Sequence, residues 1–214
     1  MPFARLVARD LRHALSGGGV AMPVAFFLLV ATLYPFAVGP DAALLAKTGG
    51  GVLWIAALLA ALLPVDRLIA PDMDGGVVDQ LVVRGVSEEA IVLAKLVAHW
   101  LSFAPALMLA GGVAAGLLRL DAATLLRLEL GLLLGTPALA ALGVLTAALT
   151  TGLRNTAALG PLLMLPLAVP VLIFGAGSLA PMAGGALKLL AASSLLLVAI
   201  TPFAGGAALR AARE

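Results

Sequence analysis

The sequence predicts an all-α integral membrane protein, with six transmembrane helices preceded by an amphipathic helix lying in the membrane interface. Three observations carry this. First, 63% of the 214 residues are hydrophobic and only 11% are charged, against about 45–50% and about 25% in an average soluble domain. A soluble chain of this length would lack the polar side chains needed to cover its surface. Second, charge-free apolar runs long enough to cross a bilayer recur along the chain, and six helices of about 20 residues consume most of it. Third, the basic residues are spread unevenly over the connections, as the positive-inside rule requires.

The first element covers residues 3–15. At helical spacing Arg5, Arg9 and Arg12 fall within about 60° of one another, while Phe3, Leu6, Val7, Leu11 and Leu15 fill the opposite side. Such a helix lies in the interface with its arginines toward the headgroups of membrane lipids. Ser16-Gly-Gly-Gly19 then turns the chain into the first span. Because the first apolar run starts only near residue 20 and further spans follow it, this is not a cleavable signal peptide.

Charge-free lengths place the spans at 20–38, 49–65, 88–118, 130–150, 155–176 and 186–209. The third exceeds what a bilayer needs, so its first turns stand in the cytoplasm. Ser87 followed by Glu88 and Glu89 suits its start, a hydroxyl cap with two acids at the positive end of the helix dipole. With a cytoplasmic N-terminus, nine basic residues lie inside (Arg5, Arg9, Arg12, Arg67, Arg84, Lys95, Arg154, Arg210, Arg213) and four outside (Lys47, Arg119, Arg127, Lys188). Both termini are therefore expected in the cytoplasm. Pro35, Pro105, Pro137, Pro161 and Pro202, with the glycine pairs Gly112/Gly116 and Gly131/Gly135, read as tolerated kinks and close helix contacts.

The same arithmetic excludes functions. Too few residues remain outside the spans for a nucleotide-binding or catalytic domain, so the chain, 1–214, is one transmembrane domain and no enzyme. A net charge of +2 gives no case for nucleic acid. With no cysteine, there is no disulfide, thiol catalysis or thiolate-held metal. Between Leu128 and Leu187 only Glu129 and Arg154 carry a full charge, which leaves no proton relay. Lys95 is close enough to its helix start to snorkel back to the cytoplasmic interface. His99, about 16 Å from that start and read as near mid-membrane, is the sole candidate for a haem ligand. A neutral histidine bonded across a helix pair is the preferred reading. No metal site and no directly bound cofactor is expected.

Polar residues concentrate instead at 66–87, between the second and third spans. With Glu88 and Glu89 this region holds six of the chain's eleven acids. Val77, Val78, Leu81 and Val82 recur at helical spacing, with Asp79 and Arg84 off the stripe and Gly85 as a stop. A short helix here would offer an apolar ridge to a cytoplasmic protein, flanked by Asp72, Asp74, Gly75 and Gln80. Its acids make it a poor match for anionic headgroups.

An interfacial helix, six spans and this intervening segment resemble the permeases of type-2 ATP-binding-cassette (ABC) exporters. More narrowly, the chain is similar to the CcmB family, the B subunits of the haem exporter of cytochrome c maturation. The matching stretches are Arg9-Asp-Leu-Arg12, Phe26-Phe-Leu-Leu-Val30, Pro35-Phe-Ala-Val-Gly-Pro40, Gly51-Val-Leu-Trp-Ile-Ala-Ala57, Leu93-Ala-Lys-Leu-Val-Ala-His-Trp100, Leu134-Gly-Thr-Pro-Ala138 and Leu165-Pro-Leu-Ala-Val-Pro-Val-Leu-Ile-Phe-Gly-Ala-Gly177. One departure is Asp74-Gly-Gly-Val-Val-Asp79-Gln80, where the family tends to have Asp-Gly-x-Leu-Glu-Gln. The resemblance implies a type-2 exporter permease fold, a bacterial inner-membrane location and a homodimer within the complex. It implies three partners: an ABC ATPase subunit, a haem-handling membrane subunit and a periplasmic haem chaperone. Haem is then the transported or handled ligand, and 66–87 the ATPase-coupling segment through Asp72, Asp74, Gly75, Val78, Asp79, Gln80, Leu81, Val82 and Arg84. Export of another lipid-like molecule, and mechanical coupling without conduction, are the alternatives.

Overall fold

The computed structural model describes residues 3–17, 19–151, 156–180 and 184–213, the side chains of the third stretch from residue 165 onward. Arg154 lies outside the described residues, as does the side chain of Pro161. The described residues are helical throughout, with no strand.

Helix α1 (Phe3–Ser16) is followed by α2 (Ala21–Val38) and α3 (Ala42–Leu62). A short 3-10 turn (Val65–Arg67), α4 (Ala70–Asp74) and α5 (Val77–Val83) form the 66–87 segment. The long helices α6 (Glu88–Leu117), α7 (Ala122–Thr150), α8 (Thr156–Gly177) and α9 (Gly184–Arg213) complete the chain. Five stretches are long and apolar enough to cross a membrane: Ala21–Val38, Ala42–Asp74, Glu88–Leu117, Ala122–Thr150 and Gly184–Arg213. The expected span 155–176 coincides with α8, whose described apolar part is Leu165–Gly177.

Two helices start earlier than charge-free lengths indicate, each at an aspartate. Asp41 accepts the Ala43 and Leu44 N–H groups at 2.8 and 3.2 Å, so α3 begins at 42 rather than 49. Asp121 accepts the Thr124 N–H at 2.9 Å, so α7 begins at 122 rather than 130. Asp at the N-cap satisfies donors that the helix itself leaves free. Arg127 is accommodated inside α7 by donating to the Leu179 carbonyl at 3.1 Å. Ser87 caps α6 as expected, accepting the Ala90 N–H at 3.3 Å. At the far end α9 continues past 209 to Arg213.

Helix α7 is the central strut, packed against α3, α6, α8 and α9, while α2 lies on α3 and α6. Its side chains from Ala138 to Ala148 are all buried. The main core, built on Phe27, Leu53, Trp54, Phe103, Leu107, Leu132 and Leu139, is centred on Trp54. A Cβ added at Gly131, Gly135 or Gly175 would come within 3.0, 2.6 or 2.7 Å of the indole, so the ring is seated where two helices lack side chains. Gly112 and Gly116, expected to mark a helix contact, face open space. The outward faces of α2 and α9 carry exposed Leu29, Leu33, Phe36, Leu195, Leu196 and Phe203, as lipid-facing helices do. Pro35, Pro105, Pro137 and Pro202 lie inside helices.

Candidate functional site at the charged end of the bundle

The end of the bundle bearing α1 and the 66–87 segment has its own core. Leu6 of α1, Val65, Ile69, Val78 and Leu81 of the segment, Ile91 and Val92 of α6, and Leu209 of α9 pack together. This corrects the expected apolar ridge. Val78 and Leu81 are only 1% and 5% exposed, because α5 turns its stripe into this chain's own α6 and α9 rather than outward. Val82 is half-buried, whereas Asp74, Gly75, Asp79, Gln80 and Arg84 are exposed. The apolar residue that α5 does present is Val83, 86% exposed. Gly76 and Gly85 bound α5 with φ of 66° and 82°, angles that glycine adopts without strain.

Two ion networks fasten the segment. In the first, Arg9 donates from Nε to Asp10 at 2.8 Å and from Nη2 to Asp72 Oδ2 at 2.5 Å. Lys95 donates to the same Asp72 oxygen at 2.5 Å and lies 3.6 Å from Asp10. Two cations and two carboxylates thus bind α1, α4 and α6 together. Lys95 is 6% exposed, so it ends on carboxylates of its own chain rather than at the interface. Of the three α1 arginines, Arg5 and Arg12 are exposed as expected for a headgroup-facing side. Arg9 instead turns inward to Asp72. Burial opposes its charge, but hydrogen bonds and attraction from Asp10 and Asp72 outweigh that and hold the guanidinium protonated.

In the second network Arg213 donates to Asp79 at 2.5 Å and to Glu88 at 2.9 Å. Arg210 donates to Glu89 at 2.6 Å and to Glu88 at 3.3 Å. This ties the end of α9 to α5 and to the first turn of α6. Asp10, Glu88 and Arg213 were not singled out by sequence reasoning as site residues. Asp10 was the visible signal, the single acid in an otherwise basic helix. The partners of Arg213 come together only through the tertiary fold.

Between α1, the segment and α6 lies a cavity of about 300 Å³, with Asp10, Arg67, Asp72, Lys95 and His99 on its wall. His99 is 3% exposed, its ring 4.8 Å from that of Phe103. Its Nε2 lies beside Gly143 and makes no hydrogen bond of full geometry, but the Ala61 carbonyl of α3 faces the ring, in the direction of the expected bond across a helix pair. Trp100 beside it donates to Thr136 at 3.1 Å. Counting back about 20 residues from Leu117, the length that crosses the hydrocarbon, puts the boundary at the α1 end near Ala98. On that count His99 stands one residue inside the boundary. Among the described residues no group of three His, Cys, Asp or Glu could hold a metal ion.

Comparison with known proteins gives a full-length match. A model of the CcmB protein family covers residues 1–212. Heme exporter protein B of Rhodobacter capsulatus is 47% identical over 211 residues, covering 96% of this chain and 97% of the relative. Heme exporter protein B of Paracoccus denitrificans is 46% identical with the same coverage. The Escherichia coli K12 protein of that name is 39% identical over 216 residues, with 98% of each chain covered. The matched region takes in α1, the 66–87 segment and every long helix, and the chain belongs to the CcmB protein family.

Proposed function

We propose that this chain is the permease subunit of an ABC transporter complex that handles haem during c-type cytochrome biogenesis. The observation that carries the reading is the end-to-end identity of 39–47% with proteins named heme exporter protein B. On this reading the fold is that of a type-2 exporter permease with six spans and a homodimeric arrangement. It sits in the bacterial inner membrane with both termini in the cytoplasm. ATP hydrolysis takes place on a separate subunit, since no nucleotide-binding domain fits in 214 residues of this composition. Haem is cargo, delivered to or released on a periplasmic haem chaperone with the help of a haem-handling membrane subunit.

The 66–87 segment is the ATPase dock in this proposal. Val83 is its apolar anchor, and Asp74, Asp79, Gln80 and Arg84 set the orientation of the partner. A few buried apolar anchors dominate such an interface, and charged rims mainly fix register. The two ion networks suit the segment to transmit force, because a push on α4 or α5 reaches α1, α6 and α9 through paired charges.

A second reading, mechanical coupling without conduction, is favoured by the lining. The buried polar side chains of the described bundle, such as Ser102, Thr136, Thr146, Ser178 and Thr201, are scattered and build no continuous polar path. A single imidazole beside a small cavity is also a poor haem platform, which supports assigning haem contact to a partner.

The test is co-purification from native membranes. Val83→Asp should abolish recovery of the ATPase while the permease remains in the membrane, and Arg84→Glu should lower coupled ATP hydrolysis more than assembly. Full ATPase recovery with both variants would refute the dock. Haem absorbance that stays with the isolated permease would refute assignment of haem contact to a partner.

A further inference from the structure

The cavity beneath α1 joins three features that the proposed ATPase dock does not use. Its depth is the first. Lys95 lies about 10 Å and His99 about 16 Å along α6 from Glu88, so the wall straddles the hydrocarbon boundary near Ala98. This is the level of phospholipid headgroups. Its charge is the second, because it offers unspent groups of both signs. Asp72 uses only Oδ2 toward Arg9 and Lys95, leaving Oδ1 for a further donor. Arg67 spends one nitrogen on the Gly17 carbonyl at 3.3 Å, leaving most of its fork free, and His13 is exposed at the same rim. The floor is the third feature. It is closed by Ala98, His99 and Ser102 of α6, with the His99 Nε2 turned away toward Gly143.

A cavity of about 300 Å³ is at the small end of ligand sites, fit for a headgroup and not for a large planar molecule. An anion alone would meet Asp10 and Asp72, and a cation alone would meet Arg67 and Lys95. A group carrying both charges a few bonds apart satisfies both. We propose that the cavity binds the zwitterionic phosphoethanolamine headgroup of a membrane phospholipid. The phosphate is taken by Arg67 and His13 at the rim. The ammonium is taken by Asp72. The three N–H groups of a primary ammonium are what the free carboxylate oxygen requires. A choline headgroup has none, and a glycerol headgroup lacks the positive charge.

The test uses the purified full chain in detergent micelles. Dioleoyl phosphatidylethanolamine, phosphatidylcholine and phosphatidylglycerol are titrated in turn, and retained lipid is read by native mass spectrometry. Phosphatidylethanolamine should be held about tenfold more tightly than the other two, the scale of one hydrogen bond to a charged group. Arg67→Gln, at an exposed position that leaves the core intact, should remove about tenfold of that affinity. Free phosphoethanolamine at millimolar concentration should compete weakly, and tight binding of it without any binding of the lipid would overturn the lipid as source. Equal retention of ethanolamine and choline lipids, or undiminished binding by Arg67→Gln, would overturn the site.

Discussion

Replacing Gly135 by Ala tests whether the Trp54 cradle organises the bundle. The added methyl would lie 2.6 Å from Cη2 and 3.1 Å from Cζ3 of the indole, and 3.2 Å from Leu190. Ordinary contacts of this kind lie near 3.5–4.0 Å, so something must move. The ring has little room to do so, since Gly131 and Gly175 approach it within 3.0 and 2.7 Å by the same measure. Overpacking a tight core costs about 1–3 kcal/mol, and the helix-propensity gain of Ala over Gly returns about 1 kcal/mol. The net expectation is a loss of up to about 2 kcal/mol. Gly112→Ala on α6 is the control, because no atom lies within 4 Å of its new methyl; it should be neutral or stabilising by up to about 1 kcal/mol. Trp54→Phe removes the part of the indole that clashes, so Gly135→Ala should cost less in that background by about 1 kcal/mol. Unfolding midpoints and denaturant titrations in detergent measure the wild type and all four variants. A Gly135→Ala variant as stable as Gly112→Ala, or strictly additive effects with Trp54→Phe, would refute the reasoning.

Other outcomes follow from the charged end and the connections. Asp72→Ala leaves Arg9 and the buried Lys95 sharing Asp10, and should destabilise by about 3 kcal/mol, whereas Lys95→Met, which removes the buried charge, should cost less; thermal unfolding of the two variants decides. Hydrogen bonds from the side chain and backbone of Thr124 hold the exposed Asp121 carboxyl below the usual carboxylate range. Its folded pKa is depressed, so its contribution is present above the unfolded value and is lost as pH falls through the folded one. Wild type should therefore lose its advantage over Asp121→Ala in acid, and an unchanged difference across pH would contradict the cap. Since the chain has no cysteine, single cysteines at 43 and 122 should react with an impermeant maleimide from the periplasm, and those at 76 and 212 should not. Periplasmic labelling at 76 would invert the proposed topology.

How much was legible beforehand differs by element. The first amphipathic helix, the long apolar helices and the Ser87 start were readable because composition and spacing determine them locally. Helices run past the expected span ends where charge was treated as a boundary. Lys47, Arg127 and Glu129 are tolerated within helices because aspartate caps fix the true starts and, for Arg127, because the Leu179 carbonyl just past α8 accepts a hydrogen bond from its guanidinium. The stripe on α5 was visible, but its direction was not. A short amphipathic helix can face a partner or its own bundle with the same spacing, and only the arrival of Leu6, Ile91 and Leu209 from distant parts of the chain decides between them. Arg9 shows the same limit: its position on the helix wheel is local, while its pairing with Asp72 spans 63 residues.

Pro105 gives α6 a geometry worth following to its end. Proline removes one backbone bond at that level and loosens the helix there. From Pro105 to Glu88 is 17 residues, an arm of about 25 Å. A flexure of about 10° at the proline would sweep the tip by about 4 Å, roughly the spacing of neighbouring strands in a sheet. That tip carries Glu88 and Glu89, held by Arg210 and Arg213, so the arm cannot swing without dragging the end of α9 with it. Motion at the charged end is thereby geared: a small rotation deep in the bundle and a large displacement at its rim are two readings of the same angle.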